Sequence, residues 1–148
     1  KMNSVETEAL IRTFLSTNNS ATQLLPNDIL ISSRGSFKAG LISYPQPTTI
    51  ASSSVYIIRL TDLSFFPEFL AIYLNSERVQ QYLDDESSGV VIRSLLKKTI
   101  EGIRIPLIPL YKQKQLVNLA QNTRALENLL TKKAFMIQTI TNNTFLTL

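Results

Sequence analysis

The sequence predicts a mixed α/β (α+β) domain that runs on into one long coiled-coil-type helix. Three observations carry this. Between residues 29 and 60, short apolar runs alternate with turns bearing proline or glycine, the pattern of a small sheet. Behind Pro67, apolar residues recur at helical spacing as far as Leu83. After Pro109 there is neither proline nor glycine, and apolar residues recur at alternating steps of three and four.

Residues 5–24 read as a short helix or strand. Leu10, Ile11, Phe14 and Leu15 have helical spacing, but Thr13, Thr17, Asn18 and Asn19 are poor helix formers. Pro26-Asn27-Asp28 is a turn, with Asp28 its Asx-type residue. Ile29 to Ile31 is a buried strand, and Ser32 to Gly40 a polar loop or hairpin end. A second strand follows at about Gly40 to Ser43, and Pro45-Gln46-Pro47 breaks it. In Ile50 to Leu60, Val55, Ile57 and Leu60 alternate with Ser54, Tyr56 and Arg59, which predicts a third strand.

One helix is expected from Pro67 to about Asp84-Asp85-Glu86, built on Phe69, Leu70, Tyr73, Leu74, Val79, Tyr82 and Leu83. Ser87-Ser88-Gly89 is a turn and Val90-Val91-Ile92 a short strand. Ser94 reads as the N-cap of a brief turn through Lys98. Ile103 to Pro109 is kept extended by its two prolines. From Tyr111 the seam positions are Leu116, Leu119, Thr123, Leu126, Leu130, Lys133, Ile137 and Ile140. Such a helix runs roughly 35 residues and about 50 Å. The chain therefore divides into a body, residues 1–110, and a helix, residues 111–148. A body of about 110 residues needs no helix of that length to close its core, so the seam calls for a partner. The competing reading packs the helix back along its own domain.

Composition narrows the function. The chain has 148 residues, 44% of them hydrophobic and 18% charged, which is globular. No apolar run approaches the roughly 20 residues of a membrane-spanning helix, and no signal-peptide pattern opens the sequence. Cysteine and histidine are absent, which excludes disulfides, thiol catalysis, a Ser-His-Asp triad, a His general base and Cys or His metal sites. Nothing in the sequence calls for a cofactor or a metal. Asp84-Asp85-Glu86 reads as a solvated charge run at a helix C-terminus, where a counter-charge is expected nearby. Arg34 to Gly40 lacks the Gly-Lys-Ser/Thr step of a phosphate-binding loop.

The net charge of +4 is concentrated in one segment. Between Arg93 and Lys114 lie six cations against the single carboxylate of Glu101. That suggests an acidic partner, most often nucleic acid. In the loop after the first strand, Ser33, Arg34 and Lys38 set hydroxyl and cationic groups beside flexible backbone, and Arg93, Lys97 and Lys98 form the densest basic patch. Such groups suit phosphate oxygens and base edges. The plainer reading of each is solvated surface. Ser52-Ser53-Ser54 reads in the same two ways.

Taken in order, several segments form a pattern. They are Leu25-Pro26-Asn27-Asp28-Ile29-Leu30-Ile31-Ser32-Ser33-Arg34-Gly35, then Ala51-Ser52-Ser53, Phe69-Leu70-Ala71-Ile72-Tyr73-Leu74-Asn75-Ser76 and Gly89-Val90-Val91-Ile92-Arg93-Ser94-Leu95. Last comes Ile103-Arg104-Ile105-Pro106-Leu107-Ile108-Pro109-Leu110-Tyr111-Lys112-Gln113. The set resembles the DNA target-recognition domain of the specificity (S) subunit of type I restriction–modification systems, over about residues 24–148. Asn27 stands where that family usually has glycine, Ile108 where it has a second proline and Lys112 where it has glutamate.

The resemblance implies a curved sheet with packed helices that reads one half of a split double-stranded DNA target and catalyses nothing. It implies long antiparallel helices that set the half-site spacing and dock methyltransferase (M) subunits and, through them, restriction (R) subunits. It places the protein in the cytoplasm, without a membrane partner. One recognition domain and one helix amount to a half-length or truncated subunit, and the seam suggests a homodimer through Leu116, Leu119, Leu126, Leu130, Ile137 and Ile140. Two other readings stand beside it. One is the recognition part of a fused restriction–methylation enzyme, and the other a coiled-coil interaction module with no DNA role.

Overall fold

A computed structural model describes residues 23–45, 49–61, 63–89 and 93–145 of the chain. The expected element within residues 5–22 and the strand at Val90-Val91-Ile92 lie outside the described residues. The rest is an α+β fold: a small antiparallel sheet, three short helices and one long C-terminal helix.

The sheet has the order β2-β1-β3, with β1 at Ile29–Ser32, β2 at Ala39–Leu41 and β3 at Val55–Ile58. Ile29 faces Leu41 on one side and Ile58 on the other, and Ile31 faces Ala39 and Tyr56. The period of two explains why Ile29, Leu30 and Ile31 of β1 are all apolar, since both faces of the strand are covered. Ile29 and Ile31 enter the main core with Leu70, Leu74 and Leu83, while Leu30 turns to the opposite face and packs with Leu24, Ile42 and Ile57.

The turn before β1 is held by a network the sequence only half disclosed. Asn27 adopts φ 70°, the left-handed conformation in which asparagine is the commonest substitute for glycine. Asp28 is fully buried and accepts the Leu25 N–H at 2.7 Å. It also takes both prongs of the Arg59 guanidinium, at 2.7 and 2.8 Å, which ties the start of β1 to the end of β3. Burial pushes the Asp28 carboxyl up. The Arg59 hydrogen bonds, the Leu25 N–H and the Arg59 charge outweigh it and hold the group below the usual carboxylate value.

The single helix expected from Pro67 to Glu86 is two: α1, Pro67–Leu74, and α2, Glu77–Asp85. The core requires the break. At 3.6 residues per turn, Val79 on one unbroken helix would lie about 180° round from Leu70. Breaking at Asn75 and Ser76 brings Leu70, Leu74, Val79 and Leu83 into one cluster. Asn75 enforces the break by acting as a strand partner. Its amide donates to the Ala39 carbonyl at 2.8 Å and accepts the Ala39 N–H at 3.0 Å.

Helix α3 is Lys97–Glu101, with Leu96 at its N-cap, so Ser94 is not the cap. Ser94 is instead strand-paired, in isolated bridges to Arg34 and to Ser88. The extended segment then leads into α4, Leu110–Phe145, 36 residues and about 54 Å long. The base of α4 is anchored by Gln113. Its buried amide accepts the Phe66 N–H at 2.9 Å and donates to the carbonyls of Ser64 (2.7 Å) and Ile108 (2.9 Å). Val117, one turn on, is buried too.

Candidate nucleic-acid interface

Two stretches 60 residues apart in sequence carry the basic candidates, and the backbone joins them. The hairpin loop between β1 and β2 begins at Ser33, whose N–H donates to the Ser54 carbonyl at 2.9 Å, continuing the β1–β3 pairing. On its other side the Ser33 carbonyl accepts the Leu95 N–H, and the Gly35 N–H donates to the Arg93 carbonyl, each at 2.9 Å. Gly35 sits at φ 71°, where any side chain would be strained. Ser32 Oγ accepts the Arg34 N–H and donates to the Arg34 carbonyl, closing a tight turn under Arg34. Residues 33–35, 93–95 and Ser88 thus form a small strand-like patch. The Tyr56 hydroxyl braces it by donating to the Leu95 carbonyl at 2.9 Å.

The predicted contact residues are not equivalent on this patch. Arg34, Lys38 and Lys98 are exposed, and no ion pair involves them among the described residues. Lys97 is exposed and pairs with Glu101 at 3.2 Å, an i,i+4 contact that solvent screens heavily. Ser33 is buried, so its contribution is the backbone pairing rather than an accessible hydroxyl. Arg93 is committed within the chain. Its Nη1 lies 3.1 Å from the Asp84 carboxylate, its Nη2 donates to the Asp84 carbonyl and its Nε donates to Ser87 Oγ at 3.0 Å. The counter-charge expected beside Asp84-Asp85-Glu86 is therefore Arg93, a pairing that spacing alone did not identify. Ser52, Ser53 and Ser54 are exposed, and Ser54 sits beside the Arg34 loop through its bond to Ser33.

The other candidate surface is α4. Leu116, Leu119, Leu126, Leu130, Ile137 and Ile140 are between 44% and 64% exposed. Thr123 and Lys133 on the same seam are exposed as well. Among the described residues, the base of the helix alone meets the body, through a different stripe: Gln113 and Val117, with Ala120 and Arg124 half-buried above them. Among the described residues, these first turns are where the helix packs back along its own domain.

Little in the described residues resembles a catalytic centre. No group of three or more acidic, His or Cys side chains among them could hold a metal ion. An open groove of about 550 Å³ is lined by Leu63, Ser64, Leu107, Ile108, Pro109 and Leu110, and none of the basic candidates borders it. No described helix is long and apolar enough to cross a membrane.

The family model for the type I restriction modification DNA specificity domain matches residues 3–134. The match takes in the sheet, the short helices and most of α4. No curated protein sequence matches the chain.

Proposed function

The chain belongs to the type I restriction–modification DNA specificity domain family and carries the target-recognition domain of an S subunit, and from that premise we propose that it binds double-stranded DNA through the Arg34 loop and the start of α3 at Lys97 and Lys98. The observation that carries this reading is the pairing of residues 33–35 with 93–95, which sets the Arg34 turn beside the lead into α3, the helix that carries Lys97 and Lys98. Cations there supply phosphate contacts and salt-dependent affinity. Arg34 and the serines of the adjoining turns supply base readout. The subunit is non-catalytic: it reads one half-site and docks M subunits, and through them R subunits.

The second part of the proposal is a homodimer through α4. An isolated exposed aliphatic seam on a 36-residue helix gains most by pairing. The seam is symmetric about Asn128 when the chain direction is reversed. Antiparallel pairing sets Leu116 against Ile140, Leu119 against Ile137 and Leu126 against Leu130, and it sets Thr123 against Lys133. Parallel, in-register pairing would instead oppose two Lys133 ammonium groups. Two-fold symmetry then presents two copies of one recognition domain, which suits an inverted, interrupted repeat in the DNA.

The test is binding of the full chain to mixed-sequence duplex DNA across a salt series. Arg34→Ala, Lys38→Ala and Lys98→Ala are each expected to weaken binding, roughly tenfold at low salt, and each lost phosphate contact lowers the salt slope by about one. Binding by the assembled complex that is indifferent to all three removes this surface from the proposal.

A further inference from the structure

We infer that Arg93 is a positioning residue: it clamps the Arg34 loop and the Lys97–Lys98 helix into one surface by anchoring their shared strand to the end of α2. The inference rests on the DNA-binding reading for its function, and on geometry alone for the clamp.

The geometry has two sides. The Arg93 side chain places its guanidinium on three acceptors from the last turn of α2 and the residues just after it: the Asp84 carboxylate, the Asp84 carbonyl and Ser87 Oγ. A cation at a helix C-terminus is favoured by the free carbonyls there as well as by the carboxylate. The Arg93 backbone meanwhile accepts the Gly35 N–H, and its neighbour Ser94 exchanges both backbone hydrogen bonds with Ser88, at 3.1 and 2.8 Å. Arg93 thus touches three stretches, the end of α2, the Arg34 turn and the lead into α3, and the Ser94 hydroxyl adds a single bond to the Ser88 carbonyl at 3.3 Å. The planar fork of arginine suits this task, because lysine cannot reach several acceptors in fixed directions.

This assignment predicts an effect opposite in sign to simple electrostatics. Removing a carboxylate near a DNA-binding surface normally strengthens binding. Here Asp84→Ala is expected to weaken it, by less than the roughly fivefold loss of Arg93→Ala, because it removes one of the three acceptors that hold the guanidinium. The double variant should be no worse than Arg93→Ala alone, since Asp84 acts through Arg93. The salt slope should stay unchanged in all three, because no phosphate contact is lost.

The experiment measures affinity of the full chain for a mixed-sequence duplex over a salt series. It is joined to amide hydrogen exchange at Gly35 and Leu95 without DNA. Faster exchange at both amides in Arg93→Ala and in Asp84→Ala, with thermal midpoints kept, is the expected result. Arg93→Lys should fall between wild type and Arg93→Ala. If Asp84→Ala binds DNA as tightly as wild type or tighter, while Arg93→Ala binds less tightly with a slope lower by about one, Arg93 is a direct phosphate contact and the inference is overturned. If no form of the chain binds DNA, the functional reading fails separately. The exchange data still decide the clamp: unchanged rates at Gly35 and Leu95 refute it, and faster rates support it.

Discussion

The body and the distal part of α4 are both rich in aliphatic residues and have opposite surroundings. In the body, Ile29, Ile31, Leu70, Leu74 and Leu83 are almost wholly removed from water. On α4 beyond Arg124, every side chain described is exposed, including Leu126, Leu129, Leu130, Phe135, Met136 and Ile137. The boundary runs through α4 itself. Its body-facing stripe of Gln113, Val117, Ala120 and Arg124 lies roughly 100° round the helix from Leu116 and Leu119. The helix therefore does two jobs with two faces. A short stripe sets its attachment, and the long seam is exposed, the face that the proposed homodimer would cover. Stability of the body is an intramolecular quantity, whereas in the proposed homodimer stability of the seam would depend on concentration.

The largest break in that comparison should come from the seam. Leu126→Glu with Leu130→Glu is expected to weaken self-association by roughly a thousandfold or more, since two carboxylates from each chain would be buried without partners. Light scattering should then report 16.7 kDa in place of about 33 kDa, twice the chain mass. The body should keep its thermal midpoint at low concentration. A wild-type chain that is monomeric at every concentration would end the homodimer proposal.

The converse change acts on the body. Ile31→Ala should cost roughly 2–5 kcal/mol, because Ile31 is fully buried between the sheet and the helices. Chemical denaturation of the double-glutamate variant, with and without Ile31→Ala, measures this free of any dimer contribution. A loss under 1 kcal/mol would mean the core relaxes around the cavity.

Gln113→Leu tests the junction between the two regions. It keeps the side-chain volume and strands the Phe66 N–H and the Ser64 and Ile108 carbonyls. A cost of roughly 2 kcal/mol is expected, with proteolysis between residues 63 and 110 accelerated before the core opens. If cleavage there is unaffected, Gln113 is not the anchor of α4.

The smallest effect is a pH dependence confined to the body. Because the folded-state pKa of Asp28 is depressed, its contribution to stability is complete above its ordinary value of 3.8 and is lost as pH falls through the folded value. Asp28→Asn should lower the thermal midpoint by roughly 5 °C at neutral pH. The gap from wild type should close in strong acid. A gap independent of pH would show that the carboxylate charge contributes nothing.

Much of the body was legible as local pattern. The strands at Ile29 and Val55 lie where apolar runs met turn residues, and α4 begins one residue before the expected Tyr111. The division at Asn75 was also written in the sequence, as a slip of helical phase between Leu74 and Val79, but spacing within each half concealed it. Ser94 misled because a serine three residues before a pair of lysines resembles a cap. Its pairing with Arg34 and Ser88 is a property of residues brought from elsewhere in the chain.

The sequence by itself determined what periodicity and residue chemistry can encode: a sheet-forming stretch, a heptad seam, a concentrated basic segment, and the absence of the side chains that most catalytic and metal sites require. Tertiary structure alone decided which cations stay exposed and which are bound, that Asp28 meets Arg59, that Arg93 meets Asp84, and which face of α4 the body covers. The physical reason is range. Helical and strand periods arise from steric and hydrogen-bonding rules acting over a few residues. A contact across 31 residues, as between Asp28 and Arg59, exists only after packing has closed the loop between them.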